Sequence, residues 1–444
     1  MTKQKRSPWF WVPSLYYAEG IPYALVMMVS VIFYKRMGVS NTDIALYTSW
    51  LYLPWVIKPL WSPVVDALRT KRFWIIASQL IIALGLGGIA LSVPLPGFFK
   101  WTLVFFWLLA FSSATHDIAV DGFYMLGLSK HDQAWFVGFR ASFYRLAMIT
   151  GQGLLIMLAG YLENASVLLP VTKTVFGAGA GNITLAWSLT FAAVCVLFGV
   201  FFIYHQLVLP FPDSDRPSVS DKTQSMLSEY LRIFAAYFKK DRIWIVLAFL
   251  LLYRFAEAQL VKMASPFLLD THESGGLGLT TGEVGFVYGT VGIIMLSLGG
   301  LLGGIAASKH GLRYWLWGMA LAINLPDLVY VYMAYFLPDN FFIINLCVAI
   351  EQLGYGFGFT AYMLYMIYAS EGQHKTAHFA ISTGFMALGM MIPGMLSGWL
   401  QELIGYQHFF IWVVIATIPG FIILPFLPLD PDFGKKAKEE KGTV

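Results

Sequence analysis

The run Ala110-Phe111-Ser112-Ser113-Ala114-Thr115-His116-Asp117-Ile118-Ala119-Val120-Asp121 decides the fold. It continues an apolar stretch that begins at Trp101, then admits an imidazole and two carboxylates without breaking the helical pattern. Asp117 and Asp121 are four residues apart, so they share one helical face, with Ser113 a turn earlier. A charge at bilayer depth costs about 2.5 kcal/mol or more, so it normally faces a partner or a water-filled cavity. The run therefore reads as a membrane-spanning helix that lines something polar.

The rest of the chain supports that reading. Of its 444 residues 58% are hydrophobic and 12% charged, against about 25% charged in soluble proteins. A spanning helix needs about 20 apolar residues, and on that basis the chain divides into about twelve spans. They fall at 9–33, 44–65, 73–93, 101–125, 135–160, 184–206, 243–268, 283–307, 314–336, 341–368, 378–400 and 407–427. The connection 207–241, with Pro210, Pro212 and Pro217, separates a half at 1–206 from a half at 242–430, and 431–444 is a tail. With both termini in the cytoplasm, the inside segments hold about 20 Lys and Arg and the outside loops about four, as the positive-inside rule requires. Lys3, Lys5 and Arg6 precede a long span with no small-residue cleavage site, so the first helix is expected to stay as a signal anchor. Trp9, Trp11, Trp50, Trp74, Trp101 and Trp315 lie near span ends, where interfacial belts favour them.

Buried charge recurs with a period of three spans. Glu19 lies in span 1, His116, Asp117 and Asp121 in span 4, Arg254, Glu257 and Lys262 in span 7, and Glu351 in span 10. Lys58 in span 2 and Arg140 and Arg145 in span 5 supply further cations. This pattern points to a polar cavity between two halves made of three-helix units, a transporter architecture. The halves also echo each other. Ser62-Pro63-Val64-Val65-Asp66-Ala67-Leu68-Arg69, then Lys71-Arg72, follows span 2; Gly303-Gly304-Ile305-Ala306-Ala307-Ser308-Lys309, then Gly311-Leu312-Arg313, follows span 8. Both resemble the loop signature of the major facilitator superfamily, the first lacking its glycines and the second its acid.

Three motifs narrow the resemblance. The Ser113-to-Asp121 run is similar to the Ser-x-x-x-Asp-Ile-x-x-Asp element of the muropeptide permease (AmpG) and acetyl-CoA transporter family. Lys58-Pro59-Leu60-Trp61-Ser62-Pro63-Val64-Val65-Asp66 resembles its Lys-x-x-Trp-x-Pro-x-x-Asp signature, and Glu19-Gly20-Ile21-Pro22 its Gly-x-Pro element. His116 departs from the pattern, standing where the family often has Gln. The resemblance implies a multi-pass importer in the cytoplasmic (inner) membrane that carries anhydromuropeptides for peptidoglycan recycling. A siderophore, an amino sugar or a CoA thioester is the alternative cargo, and a non-transporting sensor on the same fold the alternative function.

The expected site follows from residue chemistry. Two carboxylates about 6 Å apart in a low dielectric do not both ionise easily, so Asp117 and Asp121 are the candidate proton-coupling pair, with His116 beside them. Tyr16, Tyr17, Glu19, Glu351 and Tyr355 offer hydrogen bonds and rings to a sugar, and Trp61 a further ring. Lys58, Arg145, Arg254 and Lys262 offer cations to its carboxylates, with Glu257 beside Arg254 as internal partner or cargo contact. Asp66, Arg69, Arg72 and Arg140, with Asp121, form the expected cytoplasmic gate. Glycines 354, 356 and 358 are expected to make span 10 pliable, and Asp327, after Pro326, to cap locally or to make an outer-half contact. The chain lacks a phosphate-binding Gly-rich loop, a His/Cys metal set and a clustered nucleophile–base set, so neither an ATP-driven pump nor an enzyme is expected. No cofactor is needed beyond a proton gradient for symport. The expected partners are a small-molecule substrate and the lipid bilayer, without nucleic acid, for a monomer. Cys195 and Cys347 fall in apolar spans and read as small buried hydrophobes.

Overall fold

The computed structural model describes residues 7–176, 181–216 and 223–434; the side chains of 64, 66, 67, 130, 134, 137, 175, 176 and 223–230 lie outside that description. Among the described residues the regular secondary structure is helical, with no strand. Lipid offers no partner to a free backbone N–H or C=O, so spans close their hydrogen bonds internally. Among the described residues, ten stretches are long and apolar enough to cross a membrane: Pro8–Arg36, Lys71–Ser92, Phe98–Gly127, Gly138–Glu163, Ile183–Val208, Ile243–Leu269, Thr281–His310, Leu312–Phe336, Phe341–Ala369 and Lys375–Phe426.

Two places separate these ten from the expected count. Predicted span 2 is two helices, Asn41–Trp50 and Leu53–Leu68, the second carrying Lys58, Pro59 and Pro63. Predicted spans 11 and 12 form one stretch in which Gly405 breaks the helix at φ 73°, ψ 165°. Only glycine takes such a backbone cheaply, so the chain turns there.

Several spans carry local irregularities with identifiable causes. Pro22 lies in Val12–Ala24, and a π turn at Leu25–Val29 follows it. Span 5 has a π turn at Thr150–Leu154 and span 8 one at Val287–Gly292. These two turns face each other across the halves: a Cβ on Gly289 would lie 1.9 Å from the Gln152 carbonyl oxygen. Span 7 breaks at Tyr253–Arg254, between Ile243–Leu252 and Phe255–Leu269. Span 10, by contrast, is an unbroken helix, Phe341–Ala369. Its glycines are packing positions rather than hinges: a Cβ on Gly354 would meet Ala322 O at 2.1 Å, and one on Gly356 would meet Leu296 O at 2.0 Å.

The halves meet on the face away from the chain ends. Lys35 pairs with Asp270 at 2.6 Å, and Asn41 donates to Gln401 Oε1 at 2.6 Å and to Tyr406 Oη at 3.0 Å. Thr281 donates to Glu163 at 2.8 Å, and Arg36 grips the same carboxylate at 2.8 and 3.2 Å. Gly398 packs on the Asn41 backbone and Gly160 on Gly282. The connection between halves ends in a helix, Thr223–Phe238, whose buried Tyr237 shares a hydrogen bond with Ser382 at 2.9 Å.

Candidate functional site

The N-terminal half gathers acids and cations from spans 1, 2, 4 and 5. Pro59 and Pro63 remove two backbone donors from the helix around Lys58, yet its ammonium reaches past the freed carbonyls and pairs with Asp117 Oδ2. Glu19, 8% exposed, brings its carboxyl within hydrogen-bonding reach of Asp117. Two carboxyl groups share a hydrogen bond only when one of them carries a proton. The local arrangement is thus an acid–acid–ammonium set.

One turn along span 4, Asp121 Oδ1 accepts from Tyr16 Oη at 3.1 Å and pairs with Arg140 at 3.3 Å. The Arg140 guanidinium lies over Tyr16 and Tyr124, 4.8 and 5.3 Å from the ring centroids. Gly20 permits this, because a Cβ there would strike Ala147 at 2.7 Å and push span 1 off span 5.

His116 faces another way. Its Nε2 is 3.0 Å from Gln79 Nε2, Gln79 Oε1 is 3.0 Å from His205 Nδ1, and His205 Nε2 is 3.0 Å from Ser14 Oγ. The amide donates to His116 and accepts from His205, which leaves His205 Nε2 to accept from Ser14. No hydrogen bond joins His116 to Asp117 among the described residues. Gln79, His205 and Ser14 were missed from sequence because single polar residues in apolar spans show no partner until the helices pack.

The C-terminal half holds a second group. Arg254, at the break in span 7, donates to Tyr355 Oη and lies 4.8 Å from the Phe359 ring centroid. It forms no ion pair with Glu257, whose two oxygens are buried without a hydrogen-bond partner. Glu351 accepts from Gln352 Nε2 at 3.0 and 3.2 Å. Lys262 crosses to the other half and donates to Thr48 at 2.9 Å. Asp327 neither caps a helix nor makes a polar contact: it is 1% exposed and both oxygens are unpartnered, against the capping expected of it.

The remaining expected residues are dispersed. Tyr17 donates to Thr150 Oγ1 at 2.9 Å and packs on Phe201. Trp61 rests on Phe111 at 5.5 Å. Arg145 is exposed and makes no described hydrogen bond or ion pair. At the gate, the Asp66 side chain lies outside the described residues, and Arg69 sits 5.6 Å from the Phe73 ring. Arg72 donates to the Gln206 carbonyl at 2.6 Å and lies 3.9 Å from the Phe211 ring. Asp215, unsuspected from sequence, accepts from the backbone N–H groups of Lys71 and Arg72 at 2.7 and 3.0 Å and so caps span 3.

No family model matches the chain. It is similar, at 26% identity over 433 residues, to a protein named putative transporter AmpG 4 from Rickettsia conorii, covering 92% of this chain and 94% of that one. It is 24% identical over 423 residues to the anhydromuropeptide permease of Escherichia coli, covering 92% and 77%. Among solved structures, an inward-facing bacterial homologue of the lysosomal transporter Spinster superposes with a TM-score of 0.67 at 15% identity, over 96% of this chain and 97% of that one. The nucleoside transporter NupG gives 0.67 at 13% identity, over 94% and 98%. The fold is shared with these transporter structures, and the similarity read from spans 1, 2 and 4 extends across both halves. These relatives are transporters rather than enzymes, and together with ten apolar helices they support a multi-pass membrane transporter.

Proposed function

We propose that this chain is a proton-coupled symporter of twelve spans, with both termini cytoplasmic, that imports anhydromuropeptides across the cytoplasmic membrane by alternating access. The observation that carries the coupling is the Glu19–Asp117–Lys58 set, in which two carboxyls within hydrogen-bonding reach sit beside one ammonium. With the termini inside, the face on which the halves touch is external, so this state opens toward the cytoplasm. In the outward state Asp117 and Glu19 share a proton and cargo binds. In the inward state Lys58 closes on Asp117 and drives the proton onto Glu19, from which it leaves to the cytoplasmic side. The anionic groups of the cargo meet Arg254 and the exposed Arg145, and its hydroxyls meet Tyr355 and Glu19. Asp121 and Arg140 sit one turn nearer the cytoplasm, where they gate the exit. The cargo class comes from the names of the relatives.

The test is uptake into proteoliposomes driven by an inward proton gradient, with labelled anhydromuropeptide and, in parallel, a siderophore, a free amino sugar and a CoA thioester. Accumulation of the muropeptide, abolished in Asp117→Asn while exchange survives, is the expected result. Accumulation of another cargo would replace the substrate. Binding without accumulation would make the protein a sensor.

A further inference from the structure

Glu257, Asp327 and Glu351 come from spans 7, 9 and 10, far apart in sequence, and each is 1% exposed. Close packing brings two of them together: Gly354 seats span 10 against Ala322 and Pro326 of span 9, a few residues from both Glu351 and Asp327. The three acids lie within electrostatic reach of one another. Arg254 is the cation that acts on Glu257, while Lys262 is engaged by Thr48 and lies 5.2 Å from the Tyr52 ring centroid. Four carboxyl oxygens, both of Glu257 and both of Asp327, have no hydrogen-bond partner among the described residues. The Tyr330 hydroxyl, fully buried and also unpartnered, is within electrostatic reach of all three acids. Tyr288, Tyr355 and Tyr52 complete the titratable surroundings, and Gln352 bridges Glu351 to Tyr288.

Three sealed carboxyls, with one guanidinium that acts on Glu257 alone, cannot all be ionised, because a buried charge persists only when paired. Something positive must neutralise the excess. No group of acids among the described residues is arranged to hold a metal ion, and side chains this enclosed leave no room for an organic cation. A proton needs no room.

We propose that Glu257, Asp327 and Glu351 form a second proton site, in the C-terminal half, that is loaded from one side of the membrane and emptied to the other as the halves move. Each proton adds to a carboxylate oxygen from water and leaves to water, with no bond other than O–H made or broken. Arg254, released by the cargo when it departs, is the cation that drives release from Glu257. This assigns Glu257 and Glu351 to proton storage rather than to cargo contact. It rests on the transporter reading above but not on the identity of the cargo.

The first measurement therefore uses no cargo. Infrared difference spectra of the full-length protein in lipid are recorded across a pH titration for wild type, Glu257→Gln, Asp327→Asn and Glu351→Gln. Wild type should show protonated-carboxyl absorption at neutral pH, reduced in each variant that folds. Absorption unchanged in all the folded variants overturns the site. The second measurement is accumulation of anhydromuropeptide at a one-unit pH gradient, where each coupled proton lost lowers the limiting ratio by about tenfold. A ratio equal to wild type in Glu351→Gln and Asp327→Asn overturns the coupling. If wild type itself takes up no muropeptide, the cargo assignment fails and the spectra still decide the proton site.

Discussion

At the scale of single residues, the interior is organised by what each polar group finds as a partner. Lys58 and Asp117 are each about one-quarter exposed on their side chains, 27% and 21%, so the pair is neither fully screened nor fully desolvated. Removing one member strands the other. Lys58→Met is expected to lower stability by about 1–3 kcal/mol, less than the loss for a fully buried pair. Lys58→Met with Asp117→Asn should recover most of that loss, and thermal unfolding in detergent across the double-mutant cycle measures it. Non-recovery would mean that the ion pair contributes nothing. The His116 network makes a second prediction. His116→Ala leaves the Gln79 amide buried with an unmet donor, at a cost of about 1–3 kcal/mol. His116→Gln restores an acceptor at nearly the same place and should be close to wild type in unfolding temperature, whereas equal losses in both would refute the network's role.

At the scale of elements, the irregular turns lie where helices must touch across the molecule. The π turns of spans 5 and 8 meet at Gly153 and Gly289, and a Cβ on Gly153 would lie 2.8 Å from Thr290 Oγ1. A methyl group on Gly289 has no flexible side chain to displace, because its neighbour is the Gln152 backbone. Gly289→Ala should therefore disfavour the state in which these spans are in contact, with little change in helix content. Cysteine-labelling ratios between the two faces should shift at least several-fold toward access from the far face. An unchanged ratio would show that the contact is incidental. Span 10 carries the opposite lesson: its glycines look like flexibility in the sequence and are close-packing positions in the fold.

For the whole molecule, closure on the face away from the termini rests on polar links between the halves. Lys35–Asp270, Asn41–Gln401 and Glu163–Thr281 tie spans 1, 2 and 5 to spans 7, 8 and 11. Asp270→Asn removes the charge that Lys35 and Tyr406 both reach, at 2.6 and 2.7 Å. It is expected to open that face and raise the reactivity of a single cysteine at Ser49, a fully buried residue, toward a membrane-impermeant reagent. Protection equal to the parent would show that packing alone holds the face shut. Asp66→Asn, tested in the same assay from the terminal face, probes the other gate.

The sequence by itself determined the class of molecule. Apolar runs of membrane length, broken by charge in spans 1, 4, 7 and 10, leave little choice beyond a polytopic helical protein with a polar interior, because lipid tolerates neither free backbone nor unpaired charge. It also placed Glu19, Asp117, Asp121, Glu257 and Glu351 in spans, since hydropathy and helical spacing need no knowledge of contacts. The tertiary structure alone decided who meets whom. Lys58 on Asp117, His116 on Gln79 and Lys262 on Thr48 all join residues on different helices. Periodicity fixes the face of one helix but says nothing of its rotation against the next, which is set where glycine lets two backbones touch.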